Sequence, residues 1–212
     1  AALLASRDAL ALADRYRPLS DLGIACTGAV GSVLLLSRVP ISALSGRRVS
    51  LTGESRTSRA LLRILLADAF GLRDVRYQDG RGGDARLVIG DRALALAASG
   101  EWPHVLDLGA EWTRATGLPF VYARWVVRRD LCEQRARDLA AALDHSLSTP
   151  VDVAAAPRPP GLGVPGARAY LERFVHHLGP AESAGLLRFQ RELERHDLLR
   201  HHRPGIAIGS AA

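Results

Sequence analysis

The stretch RRVSLTGESRTSRALLRILL, residues 47–66, decides the fold because it joins a strand pattern to a strongly apolar helix pattern. In its first part apolar and polar residues alternate, as in a strand, and its last part carries leucines at helical spacing. The hydroxyl residues between them, Ser55, Thr57 and Ser58, are typical of a helix N-cap. Hydroxyl and free backbone N–H groups at a helix start can also receive an anion. The stretch therefore predicts a strand–loop–helix unit with two open interpretations, an ordinary cap or an anion site.

Further strand and helix patterns alternate on both sides of this unit. Strands are predicted at residues 22–26, 32–37, 47–52, 85–91 and 120–127. Helices are predicted at residues 9–16, 58–70, 129–147, 166–178 and 181–199. Because the two kinds of element alternate, the sequence predicts an α/β fold with a largely parallel sheet.

The charge of the chain is positive, with a formal net charge of +6, and all 28 basic residues are arginine. The chain contains no Lys, Asn or Met, which indicates a coding bias more than a selected surface. The arginines are dispersed and are not interleaved with aromatic residues, so a nucleic-acid groove is not expected. No apolar stretch is long enough to span a membrane. A modest positive field still favours a small anionic substrate.

The cysteine and histidine residues do not form a metal-ligand pattern. Two cysteines, Cys26 and Cys132, make neither a disulfide framework nor a zinc site, and Cys132 is predicted to be a small core residue. The pairs His176-His177 and His201-His202 lack the ligand spacing of zinc sites and are expected at the surface. We therefore predict no metal and no cofactor, and a reduced, cytoplasmic setting.

Three further places offer groups that could bind a ligand, each with a structural alternative. Small residues from Gly28 onward precede Ser32, where backbone could approach a ligand or simply turn. Gly90 and Asp91 follow a buried strand, where ligands of α/β sheets bind, although Asp91 could instead cap a helix. Ser6 ends a strand-like segment near the N-terminus.

Taken in order, the motifs resemble a known family. They are Asp21-Leu22-Gly23-Ile24 leading to Val30-Gly31-Ser32-Val33, then Ser55-Arg56-Thr57-Ser58, Leu87-Val88-Ile89-Gly90-Asp91, and Asp107-Leu108-Gly109-x-x-Trp112 followed by Thr116-Gly117-Leu118-Pro119-Phe120. Together they resemble the chorismate dehydratases of the futalosine route to menaquinone. The resemblance runs from the first residue to about residue 199, and its last motif is the most specific.

The resemblance implies a cytoplasmic enzyme with the type II periplasmic-binding-protein fold, in which two crossing strands join two α/β lobes. Residues 1–31 plus 123–199 would form lobe one, residues 32–122 lobe two, and residues 200–212 a flexible tail. The family has an N-terminal segment that this sequence does not match, which implies that lobe one lacks its N-terminal part. The family also usually has a polar or charged residue where this chain has Gly31.

The implied reaction removes water from chorismate and gives 3-[(1-carboxyvinyl)oxy]benzoate. The implied partner is this small dicarboxylate, with no nucleic acid and no membrane, and the oligomeric state stays open. The implied substrate-binding residues are Ser6, Ser32, Thr57, Ser58 and Gly90. Thr57 and Ser58 would cap the helix when the site is empty and hold a carboxylate when it is occupied. Asp91 is the local carboxylate that could act as catalytic base, and a substrate carboxylate is the alternative base.

Two other functions stay open. The sibling family that makes 1,4-dihydroxy-6-naphthoate carries a His-Glu pair where this chain has Gly90 and Asp91, which favours the dehydratase. A non-catalytic small-anion-binding protein of the same fold is the alternative from a different class.

Overall fold

The computed structural model describes residues 1–149, 152–155 and 162–199. Within them the strands are β1 (Ala2–Ala5), β2 (Tyr16–Cys26), β3 (Val33–Ser37), β4 (Arg48–Leu51), β5 (Arg76–Asp79), β6 (Ala85–Ile89), β7 (His104–Asp107), β8 (Phe120–Arg128) and β9 (Phe174–His177). The helices are α1 (Ser6–Ala11), α2 (Arg56–Asp68), α3 (Gly90–Ala98), α4 (Leu108–Thr116), α5 (Glu133–Ser148), α6 (Val164–Leu171) and α7 (Pro180–Arg195). The predicted tail at 200–212 and the pair His201-His202 lie outside the described residues. No helix in the described part of the chain combines the length and the apolar character needed to cross a bilayer.

The strands form two sheets. The first has the order β1-β8-β2-β9, and all its neighbours are antiparallel. The second has the order β5-β4-β6-β3-β7, with β4 parallel to both of its neighbours and β3 antiparallel to both of its own. The prediction of a largely parallel sheet is therefore wrong, because the long strands β2 and β8 run in opposite directions and pair with each other. The boundaries of the two lobes stay a prediction. The predicted boundary between residues 122 and 123 falls inside strand β8.

The strand–loop–helix unit of residues 47–66 forms as predicted, with the helix starting two residues earlier than its pattern indicates. Ser55 is the N-cap of α2, and its side chain accepts a hydrogen bond from the backbone N–H of Ser58. The apolar face of α2 is buried, and it includes Leu61, Leu62 and Leu66. Burial of one leucine side chain stabilises a fold by ~1.5–3 kcal/mol, so this face is a main contributor to the core.

An aromatic cluster joins α4, β8 and α7. The ring centroids of Trp112 and Phe120 lie 5.3 Å apart, and that of Phe189 lies 4.9 Å from Phe120. All three side chains are fully buried. The indole N–H of Trp112 donates to the carbonyl oxygen of Pro119 at 3.2 Å, which satisfies its one polar group inside the core. The specific motif that ends in Pro119 and Phe120 is thus the junction of three elements.

Two predicted helices are shorter than expected, because the residues at their C-terminal ends pair with neighbouring strands. The helix predicted at 9–16 ends at Ala11, because Tyr16 already pairs with Arg128 at the end of β8. The helix predicted at 166–178 ends at Leu171. The residues after it form β9, which pairs with β2.

The cysteine and histidine predictions have mixed outcomes. Cys26 is buried, but Cys132 is exposed, so its prediction as a core residue is wrong. Cys132 is the N-cap of α5 and precedes the helix whose apolar spacing suggested burial. In β9, His177 is exposed, as predicted for the surface, whereas His176 is half-buried and its Nδ1 lies 3.3 Å from the carbonyl oxygen of Gly23.

We expect Gly185→Ala to destabilise the fold at this junction. Gly185 is buried in α7, and a Cβ there would overlap the carbonyl oxygen of Pro119. Overpacking of this kind costs ~1–3 kcal/mol, more than the helix propensity that alanine gains. Urea unfolding followed by tryptophan fluorescence measures the change.

Gly53→Ala is the matched control, because an added Cβ at Gly53 meets nothing within 4 Å. It should leave the free energy of unfolding almost unchanged. Equal stability of the two variants would contradict the close approach of α7 to Pro119.

Candidate functional site

One edge of the five-stranded sheet collects most of the predicted site residues. The parallel strands β4 and β6 both end at this edge, and β3 begins there, with Val33 paired to Ile89. Strand β7 ends there too, since Asp107 pairs with Leu34. Ligands of open α/β sheets bind beyond such strand ends.

The carboxylate of Asp107 organises this edge. It accepts hydrogen bonds from the backbone N–H groups of Gly109 and Ala110 at 2.9 and 3.0 Å, which makes it the N-cap of α4. It also accepts from the N–H groups of Val30 and Gly31, at 3.2 and 2.6 Å. One side chain therefore fixes both a helix start and the loop that leads into β3.

Ser32, Gly90 and Asp91 lie together at the end of this loop. The N–H of Gly90 donates to the carbonyl oxygen of Ser32 at 2.8 Å, and Gly90 has a φ of +61°. The hydroxyl of Ser32 accepts a hydrogen bond from the phenol of Tyr170 at 2.9 Å. Asp91 is exposed in the first turn of α3, where it is accessible to a ligand.

The hydroxyls at the start of α2 are engaged with the protein. Thr57 accepts a hydrogen bond from the backbone N–H of Arg7 at 3.0 Å, and the Ser58 hydroxyl lies 2.9 Å from that of Ser55. Thr57 and Ser58 are 1% and 3% exposed. The prediction that these two residues cap the helix is wrong, because Ser55 holds that position. The backbone N–H groups of Arg56 and Thr57 donate no hydrogen bond within the described residues, as expected for a first helical turn.

Ser6 is fully buried, and its hydroxyl donates to the carbonyl oxygen of Val121 at 2.5 Å. This contact joins the start of α1 to β8, and the next residue, Arg7, makes the contact to Thr57. Ser6 and Thr57 thus form a second group, while Ser32, Gly90 and Asp91 form the first. The described contacts place Ser6 inside the protein rather than at an open surface.

Tyr122, the neighbour of Val121 in β8, carries a buried hydroxyl without a hydrogen-bond partner among the described residues. Burial, followed by the nearby Asp107 carboxylate, raises the pKa of the Tyr122 phenol well above its usual value. A Cβ on Gly109 would lie 2.5 Å from this hydroxyl, so glycine is needed there for close packing. The phenol stays protonated, and its O–H is a buried donor without an acceptor among the described residues.

Cys26 is not a nucleophile at this site. Burial, followed by the Asp107 carboxylate, raises the pKa of its thiol, although the guanidinium of Arg173 opposes the shift. A protonated, buried thiol is chemically inert.

A cavity of about 200 Å³ opens at the same sheet edge. Its lining includes Thr52 and Glu54 from the loop before α2, and three arginines, which are Arg81, Arg86 and Arg92. Burial, followed by the other two guanidinium groups, lowers the pKa of Arg86. The edge is therefore electropositive, which suits an anionic ligand.

One cluster elsewhere has metal-ligating side chains: atoms of Asp68, Glu192 and His196 lie within 4.8 Å of one another. Arg195 forms ion pairs with both carboxylates of this cluster. The arrangement is a salt-bridge network that docks α7 on α2.

Sequence reasoning missed three residues of the site: Asp107, Tyr122 and Tyr170. Asp107 and Tyr122 stand inside or beside the most specific motif, and an Asp directly before the first residue of a helix is a cap signal. Tyr170 had no such signal, because its contact with Ser32 joins positions 138 residues apart.

Comparisons with known proteins give a consistent result. A family model described as menaquinone biosynthesis matches residues 2–195. A chorismate dehydratase of Thermus thermophilus is 34% identical over 200 residues, covering 82% of this chain and 72% of the relative. A 1,4-dihydroxy-6-naphthoate synthase of the same organism is 34% identical over 153 residues, covering 64% of this chain and 50% of that relative.

Two solved structures share the fold. A protein from Archaeoglobus fulgidus matches with a TM-score of 0.69 and 21% identity, covering 92% of this chain and 78% of that one. The periplasmic aliphatic sulphonate binding protein of Escherichia coli matches with a TM-score of 0.53 and 15% identity, covering 93% and 81%. These likenesses confirm the predicted two-lobed α/β fold of the periplasmic-binding-protein type.

We expect Asp107→Ala to loosen the sheet edge. It removes the acceptor of four backbone N–H groups, and loss of an N-cap alone costs ~0.5–2 kcal/mol. Hydrogen exchange followed by NMR should show lost protection at the amides of Val30 and Gly31.

Ser55→Ala serves as the control, since it removes the cap of α2 and leaves Asp107 intact. It should lower the free energy of unfolding by ~1 kcal/mol without exposing the amides of Val30 and Gly31 to exchange. Unchanged protection in Asp107→Ala would show that the carboxylate does not hold the loop.

Proposed function

We propose that this chain, which belongs to the menaquinone biosynthesis family, is a chorismate dehydratase, a lyase that converts chorismate into 3-[(1-carboxyvinyl)oxy]benzoate and water. The observation that carries the proposal is the 34% identity with a curated chorismate dehydratase across 82% of the chain. The family model matches residues 2–195, which include the strand edge where the predicted site residues lie. The cytoplasmic location implied by the sequence is part of this proposal.

The substrate carries two carboxylates, and the sheet edge supplies groups that suit them. The free N–H groups of Arg56 and Thr57, together with the Ser58 hydroxyl, form an anion-receiving start of α2. The hydroxyl of Ser32, which accepts from Tyr170 and can still donate its own proton, supplies a further polar group at the neighbouring strand end, and Gly90 acts there by holding the Ser32 carbonyl through its N–H. In this proposal Thr57 and Ser6 act by holding the start of α2 and β8 in place, since both side chains are buried and bonded to backbone.

The chemistry demands little of the protein beyond position and proton transfer. A ring proton and the ring hydroxyl leave as water, and the ring becomes aromatic, so the driving force lies in the substrate. Asp91 is exposed next to Gly90 and is the proposed base that takes the ring proton. General base catalysis contributes ~10²–10⁴ in rate, and orientation of the substrate contributes the rest.

Two alternatives have weaker support. The 1,4-dihydroxy-6-naphthoate synthase relative aligns with a smaller part of this chain, and Gly90 and Asp91 stand where that sibling family carries a His-Glu pair. A protein that binds a small anion without turnover would use the same polar edge. Both alternatives predict that chorismate survives incubation with the protein.

The direct test is incubation of the protein with chorismate, followed by mass spectrometry of the product. We expect a product lighter than chorismate by one water, with the phenyl absorbance of a benzoate. A curated chorismate dehydratase serves as the positive control. Survival of chorismate under conditions in which the control reacts would refute the proposal.

We expect Asp91→Asn to lower kcat by ~10²–10⁴ with little effect on KM or on folding, because Asp91 is exposed and would act in proton transfer. Asp14→Asn is the control, since Asp14 is an exposed acid in the turn after α1. Retention of kcat in Asp91→Asn would remove Asp91 as the base and favour a substrate carboxylate in that role.

A further inference from the structure

The C-terminal end of α6 lies over the loop that leads into β3. Tyr170 donates its hydrogen bond to Ser32, and the ring of Phe174 packs edge-to-face on Tyr170 with centroids 5.2 Å apart. These contacts anchor the short turn between α6 and β9. Arg173 lies in that turn, so its side chain is presented to the site edge from a fixed backbone.

The guanidinium of Arg173 occupies the space that a side chain at Gly31 would fill. An ideal Cβ on Gly31 would lie 2.8 Å from Nη1 of Arg173, which is closer than real Cβ atoms come to a neighbour. Gly31 also has a φ of +80°, a conformation that costs a residue with a side chain. The guanidinium of Arg173 can therefore occupy its position only because residue 31 has no side chain.

This guanidinium is a cation without a fixed counter-charge. Its side chain makes no hydrogen bond or ion pair with the described part of the chain, and Arg173 is exposed. Asp107 is the nearby carboxylate, since both Asp107 and Arg173 act electrostatically on the Cys26 thiol. The oxygens of Asp107, however, already accept hydrogen bonds from four backbone N–H groups. The N–H groups of Arg173 thus remain available for a ligand.

We propose that Arg173 binds one carboxylate of the substrate at the site edge, beside the hydroxyl groups of Ser32 and Tyr170. A guanidinium pairs with a carboxylate through two parallel hydrogen bonds, which orients the ligand as well as attracting it. The start of α2 would then take the other carboxylate. This assignment rests on the proposed function for the identity of the dicarboxylate, but the binding site itself is tested independently of turnover.

The first experiment compares Arg173→Gln with Arg168→Gln. Arg168 is also exposed and lies in α6, so the control makes the same change in net charge away from Gly31. Loss of a charge-assisted pair should raise KM for chorismate about tenfold to a hundredfold and change kcat much less. Arg173→Lys should recover only part of the affinity, because an ammonium cannot form the two-bond pair.

Binding of isophthalate, an aromatic dicarboxylate, is measured by calorimetry with the same variants. Weaker binding in Arg173→Gln than in Arg168→Gln supports the proposal, even if the wild-type protein leaves chorismate intact and the dehydratase assignment fails. Turnover of chorismate with the same KM in both variants overturns the role of Arg173 while the dehydratase assignment stands. Failure of the wild-type protein to bind or convert either dicarboxylate overturns both.

A second pair of variants tests the link to Gly31. Gly31→Ala and Gly28→Ala each place a Cβ on a glycine with φ near +80°, but only the first meets Arg173, since nothing lies within 4 Å of the second. Gly31→Ala should raise KM for chorismate or the Kd for isophthalate more than Gly28→Ala does. Its effect should be smaller in the Arg173→Gln background, since both changes act on the same contact. Fully additive effects would contradict the coupling between Gly31 and Arg173.

Discussion

The site depends on one interaction, the acceptance of four backbone N–H groups by the carboxylate of Asp107. Two of these groups belong to the loop before β3, and two belong to the first turn of α4. Because β3 lies between β6 and β7, the loop that enters it sets the position of Ser32 against Gly90. A single half-buried acid at a strand end thus holds one loop and one helix start in place.

The sequence predicted the parts of the fold that depend on local pattern. The helix after Ser55 has an unbroken apolar stripe and hydroxyl residues before it, so its existence follows from residues within a few positions of each other, although its start was predicted two residues too late. The strand β9 has no such signal, because the histidines and aliphatic residues at 174–177 form a strand only through pairing with β2. The end of α1 was misplaced for the same reason, since β8 supplies the partner for Tyr16.

The residues of the candidate site also fall into those that the local sequence indicates and those that depend on distant partners. Ser32 stands at the start of a predicted strand and Gly90 and Asp91 at the end of another, and the structure brings them to one edge. Ser6 and Thr57 also stand at element starts, but nothing in the local sequence indicates that their hydroxyls are taken by Val121 and Arg7. Arg173 could not be found from the sequence, because its position depends on the empty space at Gly31, more than 100 residues away in the chain.

The rigid groups and the accessible groups of this site have different tasks. The buried Ser6 and the half-buried Asp107 are bonded to backbone and hold the strand ends, whereas Asp91 and Arg173 are exposed and are the groups that we propose to meet the ligand. This division fits a reaction in which the substrate supplies the driving force and the protein supplies alignment.

A crystal structure of the protein with 3-[(1-carboxyvinyl)oxy]benzoate tests the central claim most directly. The account places one carboxylate of this product at the start of α2 and the other against Arg173 and Ser32, with the ring near Asp91. Density for the product at any place away from Ser32 and the start of α2 would contradict the account.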